Sequence, residues 1–538
     1  MPQAPTTLIS RLMINLDNSH RIEVINPQFI GAVGLTPIPP FGSSNLVNQA
    51  LLSAVHAYSA RWLPVDEMES HSGRGQNTWT MKEGLLRDLW TQAYQKMQPA
   101  MTRPSYTSIL ALHLFGNTPT PPQSEERGAT ELCLGIALQH YTTMSVRTGV
   151  LSRMSKSTET ASTAREPPQA LDVAAMEYAQ MEDTAHWFGI ICDTYRSLTG
   201  CQPSILLPST SKESKVWISV RQEVAGFQQR ARGERWVESR RPLSIERIYS
   251  IVGNGSACRA MVWSAISRVQ DALFHNVADI SVEEAIHDAF REVNRFDEVF
   301  GGLLGICRRD FALSNEKIRI SCCRFSLCMC CHSKLHHIDL IIVLLDLDFG
   351  LGVLTLVDTL SATSNGHLIP SEYELRISSA RAIVNAVSMV LQTDHYTSGS
   401  HGRNSQLLQV PYPEHIINGL LRAGSSLIHL YRTNSMSPSM VEIMFCVIFS
   451  GLETLRIVSY SAEEAFESLL SLCDDCGLRP KSYQDSSLSM IASNEISPAV
   501  GLALHDKQFL KTLDENINMD PGLINATIER HELALGVV

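Results

Sequence analysis

The chain has 538 residues, a hydrophobic fraction of 44% and a formal net charge of −11, because 44 Lys and Arg residues stand against 55 Asp and Glu residues. This length is enough for several ordinary domains or for one large helical array. The acidic charge works against non-specific attraction to a phosphate backbone, so it argues against a protein that binds nucleic acid with its whole surface.

The N-terminal residues carry no basic segment followed by an uninterrupted apolar run, so the sequence predicts no secretory signal and a reducing compartment. The 13 cysteines are then expected to be thiols or metal ligands rather than disulfides.

Composition divides the chain into blocks. We expect an N-terminal extension at 1–43, a helical region at 44–485 and a C-terminal tail at 486–538. Three polar stretches rich in Pro, Ser or Gly are predicted to be linkers inside the helical region. They lie near 116–128, 152–170 and 392–412.

Helical patterns dominate the sequence and strand signals are sparse, which predicts an all-α fold built as a large helical array. The first helix is expected to have Ser44 as its N-cap. Its apolar residues are expected to form one broad stripe: Leu46, Ala50, Leu51, Ala54, Val55, Tyr58 and Trp62. Later helix starts are indicated by Ser-x-x-Glu capping boxes. These boxes begin at Ser281, Ser371 and Ser461, and the last of these helices is expected to end at Gly477.

Residues 182–208 predict an amphipathic helix followed by a loop that folds back. Trp187 and Tyr195 fall on one face of this helix. Gly200 stands where a left-handed C-cap is expected, and Pro203 prevents the helix from continuing.

The most apolar run extends from Ile338 to Asp358 and contains Asp346 and Asp348 near its middle. Charges at that position are costly in hydrocarbon. We therefore predict a buried helix pair rather than a membrane span.

The short motifs of common enzymes are missing: the sequence has no GxSxG, no HExxH and no GxxxxGK[ST]. Two fragments, at Gly253 and Gly350, have two glycines each but lack the third glycine of a dinucleotide fingerprint. No acid, base and nucleophile stand out together. We expect a chain that is not an enzyme and that carries no cofactor of its own.

A segment rich in Cys and His, from Ser321 to Leu335, admits three interpretations: a zinc site, buried or disordered thiols, or a translated intron. Its potential ligands lie too close together in sequence to wrap an ion, which argues against ordered zinc. A separate Cys-x-x-Cys pair, Cys473 and Cys476, falls on the last turn of an amphipathic helix without βαβ context, which favours a helix terminus over a redox motif.

A basic segment begins at Arg221 and includes Trp236 among its arginines. Such a stripe could contact nucleic acid or an importin, but Glu234 and Glu238 dilute the charge, so ordinary surface charge is the favoured interpretation.

The order of several helical segments resembles the middle homology region, the regulatory region of fungal zinc-cluster transcription factors. The similar segments include LVNQALLSAVHAYSARWLP, LWTQAYQKMQPAMTRPSYTSILALHLFG, ELCLGIALQHYTTM and MEDTAHWFGIICDTYRSLTGCQPSILLP. The C-terminal segments LYRTNSMSPSMVEIMFCVIFSGLETL and LLSLCDDCGLRPKSYQD are similar as well. The resemblance covers roughly Asn45 to Asp485, and each segment on its own is a degenerate helical pattern.

The resemblance implies a set of residues that form either the core of the regulatory region or an inducer pocket. They are Trp187, Asp193, Tyr195, Ser197, Gly200 and Pro203, the last shifted relative to the family pattern. The sequence also departs from the family because the six-cysteine DNA-binding module that normally begins these proteins, and the dimerising coiled coil that often accompanies it, are absent from the sequence, in which the first cysteine is Cys133.

The resemblance implies a nuclear regulator of metabolic or secondary-metabolite genes that answers to an inducer or partner. Its expected partners are a second copy or a full-length relative and the transcription machinery, with DNA reached only through a missing module or a partner, and no membrane. Zinc is expected only if a six-cysteine module lies upstream.

Two alternatives stay open. One is a helical scaffold or co-regulator without DNA binding, and the other is a helical enzyme in which Asp346, Asp348 and Asp358 hold a metal ion.

Overall fold

The computed structural model describes most of the chain up to Leu478. The described residues are 10–17, 42–63, 76–121, 128–159, 169–206, 215–234, 236, 243–275, 281–307, 329–363, 365–397, 405–410 and 412–478. Within them the regular elements are helices and there is no strand, which confirms the all-α prediction.

The α-helices are numbered here in chain order. They are α1 Gly42–Ala60, α2 Gln76–Lys96, α3 Gln98–Thr102, α4 Tyr106–Gly116, α5 Ala129–Glu159, α6 Gln169–Gly200, α7 Lys215–Gly233, α8 Ile245–Phe274, α9 Val282–Phe296, α10 Met329–Ser361, α11 Glu372–Thr397, α12 Pro413–Arg432, α13 Pro438–Leu455 and α14 Tyr460–Asp475. The described chain forms two compact units, and the division falls between Asp193 and Thr194, inside α6.

In the first unit α4 is the central helix. It packs against α1 and α5, and it is buried from Tyr106 to Phe115. Its start is held by Asp17, whose carboxylate accepts hydrogen bonds from the backbone N–H groups of Tyr106 and Thr107 at 2.9 and 2.8 Å. These two N–H groups have no partner inside the helix, so a distant carboxylate satisfies the helix N-terminus.

In the second unit α10 occupies the centre. It packs against α8, α11 and α12, and its apolar residues share a core with α11 to α14. Two glycines allow neighbours to approach closely. A Cβ on Gly350 would lie 2.9 Å from a side-chain carbon of Ile383, and one on Gly352 would lie 2.9 Å from the indole of Trp263.

Two helices are long and apolar enough to cross a membrane by length and composition alone, over Leu340–Ser361 and Pro438–Leu455. The most apolar windows of these helices are 78% and 56% buried inside the folded chain. Core helices of soluble proteins meet the same criteria, so these two helices carry no argument for a membrane.

Several predicted boundaries differ from the structure. The predicted helix pair around Asp348 is one continuous helix, α10, because Gly350 and Gly352 sit at close helix contacts that offset their low helix propensity. The predicted N-cap Ser44 lies inside α1, which begins at Gly42. On the predicted stripe, Ala50, Ala54 and Tyr58 are buried. The stripe is wrong at Leu46 and Val55, which are exposed, and at Trp62, which is exposed beyond the end of α1.

The predicted capping boxes have different outcomes. Ser281 is the N-cap of α9 and accepts from the N–H of Glu284, as predicted. Helix α11 starts directly after Ser371. For α14 the prediction is wrong by two residues, because Ser459, with extended backbone, is the N-cap and accepts from the N–H of Ser461 at 3.2 Å.

Some predicted helix ends agree with the structure and others do not. Gly477 has φ +69° and follows α14, which confirms the predicted left-handed end. At the end of α6 the left-handed residue is Cys201, with φ 49°, and not Gly200. Two of the predicted linkers also begin inside helices, since α5 runs to Glu159 and α11 to Thr397.

Candidate functional site

The most unusual feature of the second unit is an ion pair inside its core. Arg259 of α8 donates from Nη1 to Oδ2 of Asp348 on α10, 89 residues further along the chain. The two side chains are only 4% and 3% exposed. Buried charges of this kind are tolerated only when they are paired, because each loses its hydration on burial.

An indole ring reinforces the pair. Trp263 follows Arg259 by one helical turn, and its Nε1 donates to the backbone carbonyl of Asp348 at 2.8 Å. The Arg259 guanidinium lies 4.8 Å from the centre of the Trp263 ring, within the range of a cation–π contact. Both the side chain and the backbone of Asp348 are therefore held by one face of α8.

A second pair of rings completes the site. His415, near the start of α12, places Nδ1 3.4 Å from Oδ1 of Asp348 and stacks on Tyr195 with ring centres 3.5 Å apart. The Tyr195 hydroxyl accepts a hydrogen bond of 3.1 Å from Nδ2 of Asn418. These six residues, Tyr195, Arg259, Trp263, Asp348, His415 and Asn418, are called the Arg259 cluster below.

The environment of Tyr195 keeps its hydroxyl neutral. Desolvation on burial raises the pKa of Tyr195 above its usual value, and the negative charges of Glu414 and Asp348 raise it further. The phenol therefore acts in the cluster as a neutral hydrogen-bonding group.

The end of α6 is anchored by the same face of α8. Ser267 donates to the carbonyl of Thr194 at 3.4 Å, and Gln270 donates from Nε2 to the carbonyl of Leu198 at 3.3 Å. His275 Nε2 lies 3.2 Å from the carbonyl of Cys201. The carbonyl of Leu198 is one of the last four of α6 and has no partner inside the helix, so Gln270 satisfies it. Together the three side chains hold the end of α6 in place and with it Tyr195.

The Arg259 cluster connects four helices, α6, α8, α10 and α12, through charged and aromatic groups. Arg259 Nε and Asp348 Oδ1 are buried without a hydrogen-bond partner of normal geometry in the described part of the chain. Separating Arg259 from Asp348 would leave two unpaired charges in the core, so the cluster holds the four helix segments that carry it in fixed positions.

A second polar network lies on α10, α11 and α12. Arg376, 6% exposed, donates to Asp358 at 2.6 Å and to Glu372 at 2.8 Å, and it also contacts Ser426. Arg422 binds the other oxygen of Asp358 at 2.8 Å. These contacts tie three helices together near one end of α10.

The contacts of the aspartates bear on the metal hypothesis. Asp348 and Asp358 are both bound by arginines, and Asp346 lies on the same helix. Among the described residues no group of three or more His, Cys, Asp or Glu side chains could hold a metal ion. Cys322, Cys323 and Cys328 lie outside the described residues, and for the helical residues 329–335 only the backbone is described.

The two-glycine fragments do not form phosphate-binding loops. Gly253 lies inside α8 and Gly350 inside α10. A Cβ on the second glycine of the first fragment, Gly255, would lie 2.7 Å from Leu345, so this glycine permits contact between α8 and α10. Helix packing therefore explains these residues.

The basic segment is engaged with acidic side chains. Arg230 pairs with Glu223 and Arg232 with Glu298, both at 3.6 Å. Trp236 is 5% exposed and donates from its indole to Glu234, so its ring is not available to stack on a base. Arg235, Arg240 and Arg241 lie outside the described residues.

The six candidate residues from the sequence lie in different parts of the structure and differ in burial. Trp187 is half-buried and Asp193 is fully buried, and both belong to the first unit. Tyr195 joins the Arg259 cluster of the second unit, while Ser197 is completely buried nearby in α6. The remaining two are exposed: Gly200 is the last residue of α6, and the carbonyl of Pro203 accepts from Arg196 Nη1 at 3.2 Å.

Sequence reasoning missed Arg259, Trp263, His415 and Asn418, and it considered Asp348 only as a charge in an apolar run or as a metal ligand. One signal could have found the pair: an arginine and an aspartate each stand inside a strongly apolar helix, and buried opposite charges need one another. Comparisons with protein families, with curated proteins and with solved structures find no match for this chain.

Proposed function

We propose that this chain is the helical regulatory region of a fungal transcription regulator of the zinc-cluster type. It acts in the nucleus on metabolic or secondary-metabolite genes. The observation that carries the proposal is the order of the segments that resemble the middle homology region, from about Asn45 to Asp485. Helices α2 to α14 lie inside this range, and α1 begins three residues before it. This agreement supports the fold that the resemblance implies and does not test the function.

The Arg259 cluster gives such a region a defined internal geometry. A regulatory region has to transmit the binding of an inducer or partner, and transmission requires helices that move as units rather than bend continuously. The cluster fixes the end of α6, from Thr194 onwards, to α8, α10 and α12, and so gives the second unit such a rigid core.

The test is a reporter assay in a fungal cell. The full chain is fused to an unrelated DNA-binding domain, and the reporter is measured over a panel of growth media. We expect the fusion to raise or lower the reporter relative to the DNA-binding domain alone. The fusion carrying Asp348→Ala is expected to lose the effect, and the one carrying Arg87→Gln, which breaks an exposed pair with Glu83, is expected to keep it.

The alternative is a helical scaffold or co-regulator that touches DNA only through partners, and the net charge of −11 favours it over a chain that binds DNA directly. Intact fusions that accumulate in the nucleus and leave the reporter unchanged in every medium would contradict the regulator proposal. Localisation of the unfused chain outside the nucleus in the same media would count for a scaffold.

A further inference from the structure

The last turn of α14 carries two cysteines with different surroundings. Cys473 is completely buried and belongs to the core shared by α10 to α14. Cys476, three residues later, is half-buried and packs at the edge of this core. Cys476 is therefore partly accessible to solvent, whereas Cys473 is not.

A basic side chain holds the outer sulfur. Arg432, the last residue of α12, donates from Nε to Sγ of Cys476 at 3.1 Å. A guanidinium keeps its charge at any ordinary pH, so a permanent cation lies beside the outer sulfur.

The inner sulfur is in the opposite state. Burial raises the pKa of Cys473 to about 11, with smaller contributions from Cys476 and Asp474. Cys473 is therefore a protonated thiol at neutral pH and is shielded from reagents in solvent. The pair combines an accessible sulfur next to a cation with a protected sulfur on the same turn.

We propose that Cys476 is a peroxide-reactive thiol and that Cys473 is its resolving partner. This inference goes beyond the regulatory function and stands on the contact with Arg432. The thiolate of Cys476 attacks one oxygen of hydrogen peroxide, the O–O bond breaks, and hydroxide leaves as a sulfenic acid forms. The sulfur of Cys473 then attacks the sulfenic sulfur, the S–O bond breaks, and water leaves with the thiol proton. The two sulfurs are oxidised to a disulfide, and the peroxide is reduced to water.

The disulfide changes the local structure. Helical residues three apart have Cβ atoms about 5–6 Å apart, whereas a disulfide requires about 3.5–4.5 Å, so the last turn of α14 has to tighten. This turn can change because it is the end of the helix and is followed by Gly477 in the left-handed conformation. The hydrogen bond from Arg432 to the sulfur of Cys476 is weakened when this sulfur is bonded to a second sulfur, which loosens the contact between α12 and α14.

The experiment uses the full chain and peptide mass spectrometry. Trypsin produces one peptide, residues 457–481, that contains Cys473 and Cys476 and no other cysteine, and another, 197–212, that contains only Cys201. Cys201 is exposed, and its sulfur accepts from the neutral Gln270 amide at 3.7 Å, so it serves as the internal reference. The rate of alkylation by iodoacetamide is measured for both peptides.

Arg432→Gln is expected to slow alkylation of Cys476 relative to Cys201 by about threefold to tenfold, because the charged hydrogen-bond donor beside the sulfur is removed. Arg432→Lys keeps the positive charge and is expected to retain most of the alkylation rate. This control distinguishes the loss of a charge from a loss of structure as the cause of slower alkylation. Arg87→Gln, a remote exposed arginine, should leave the ratio unchanged.

After treatment with hydrogen peroxide, peptide 457–481 is expected to lose the mass of two hydrogen atoms, and this loss should be reversed by a reducing agent. In Cys473→Ser the sulfenic acid on Cys476 should accumulate and be trapped by dimedone. A peptide that stays in the dithiol form under peroxide, or an alkylation ratio that Arg432→Gln does not change, would overturn the proposal.

Discussion

Removing one partner of the Arg259–Asp348 pair should destabilise the second unit strongly. Asp348→Ala leaves the Arg259 guanidinium, 4% exposed, in the core without its carboxylate. Breaking a buried pair in this way costs about 3–5 kcal/mol, because the remaining charge is neither hydrated nor neutralised. Replacing both partners by apolar residues of similar size, Arg259→Met with Asp348→Leu, removes both charges and is expected to be neutral or to restore stability.

The assay should report on each unit separately, because a chain with two compact units need not unfold in a single step. Native-state hydrogen exchange with peptide mass spectrometry does so. A loss of 3 kcal/mol corresponds to a rise of about 100-fold in the exchange of the slowest amides of α8 and α10, since each 1.4 kcal/mol is a factor of ten. Amides of α4 serve as a reference in the first unit.

A matched control is Arg87→Gln, which breaks an exposed pair with side chains 50% and 36% accessible. Exposed pairs contribute about 0–1 kcal/mol, so its effect should be small. The reasoning fails if Asp348→Ala accelerates exchange no more than this control does. It fails equally if the double variant is as unstable as Asp348→Ala, since the loss would then not arise from an unpaired charge.

Three further predictions concern packing, pH and capping. Gly352→Val places a side chain against the Trp263 indole and should lower the free energy of unfolding by about 1–3 kcal/mol, measured as a lower thermal midpoint. Gly84→Val is the control for the added side chain, because a Cβ at that position meets open space. Burial lowers the pKa of His113 to about 4, so as pH falls from about 6.5 towards 4 the unfolded state takes up a proton that the folded state does not. The contribution of neutral His113 to the free energy of unfolding is therefore fully present above this range. In denaturant titrations the free energy of unfolding should fall by about 2 kcal/mol from pH 7 to pH 5, and the fall should be smaller in His113→Gln. Asp17→Ala removes three hydrogen bonds at the start of α4, two from backbone N–H groups and one from the Thr107 hydroxyl, and should cost about 1–3 kcal/mol, read from faster exchange of α4 amides.

The fold class could be predicted because the helical period is a local property of the sequence. The end of α14 at Gly477 and the start of α9 at Ser281 were predictable for the same reason, since each depends on residues within one turn. The continuity of α10 was not, because the glycines that suggest a break are stabilised by contacts with Trp263 and Ile383, and these contacts come from other helices.

The site was less predictable than the fold. Tyr195 was singled out, but its partner Asn418 lies 223 residues away, and the two residues of the central ion pair are 89 residues apart. Helix periodicity shows which face of a helix is apolar, and it contains no information about which helix covers that face. The sequence shows that Arg259 is a charged residue in an apolar segment. It does not show which acidic residue pairs with it, because several are buried in the folded chain and only the packing of the helices selects Asp348.

The energy of the Arg259 cluster limits where a regulatory change can occur in the second unit. Shifting a two-state equilibrium from about 1:99 to 99:1 requires about 5.5 kcal/mol of differential binding, and breaking the buried pair would itself consume about 3–5 kcal/mol of that. A ligand or partner acts with least cost when it leaves this pair intact and moves contacts that are exposed. The contact between Arg432 and Cys476 is such a place, because it joins the ends of α12 and α14 at the surface and involves no buried charge. We therefore expect variants at Arg432 to change regulation with little loss of stability, whereas variants at Arg259 should lose regulation only together with the fold.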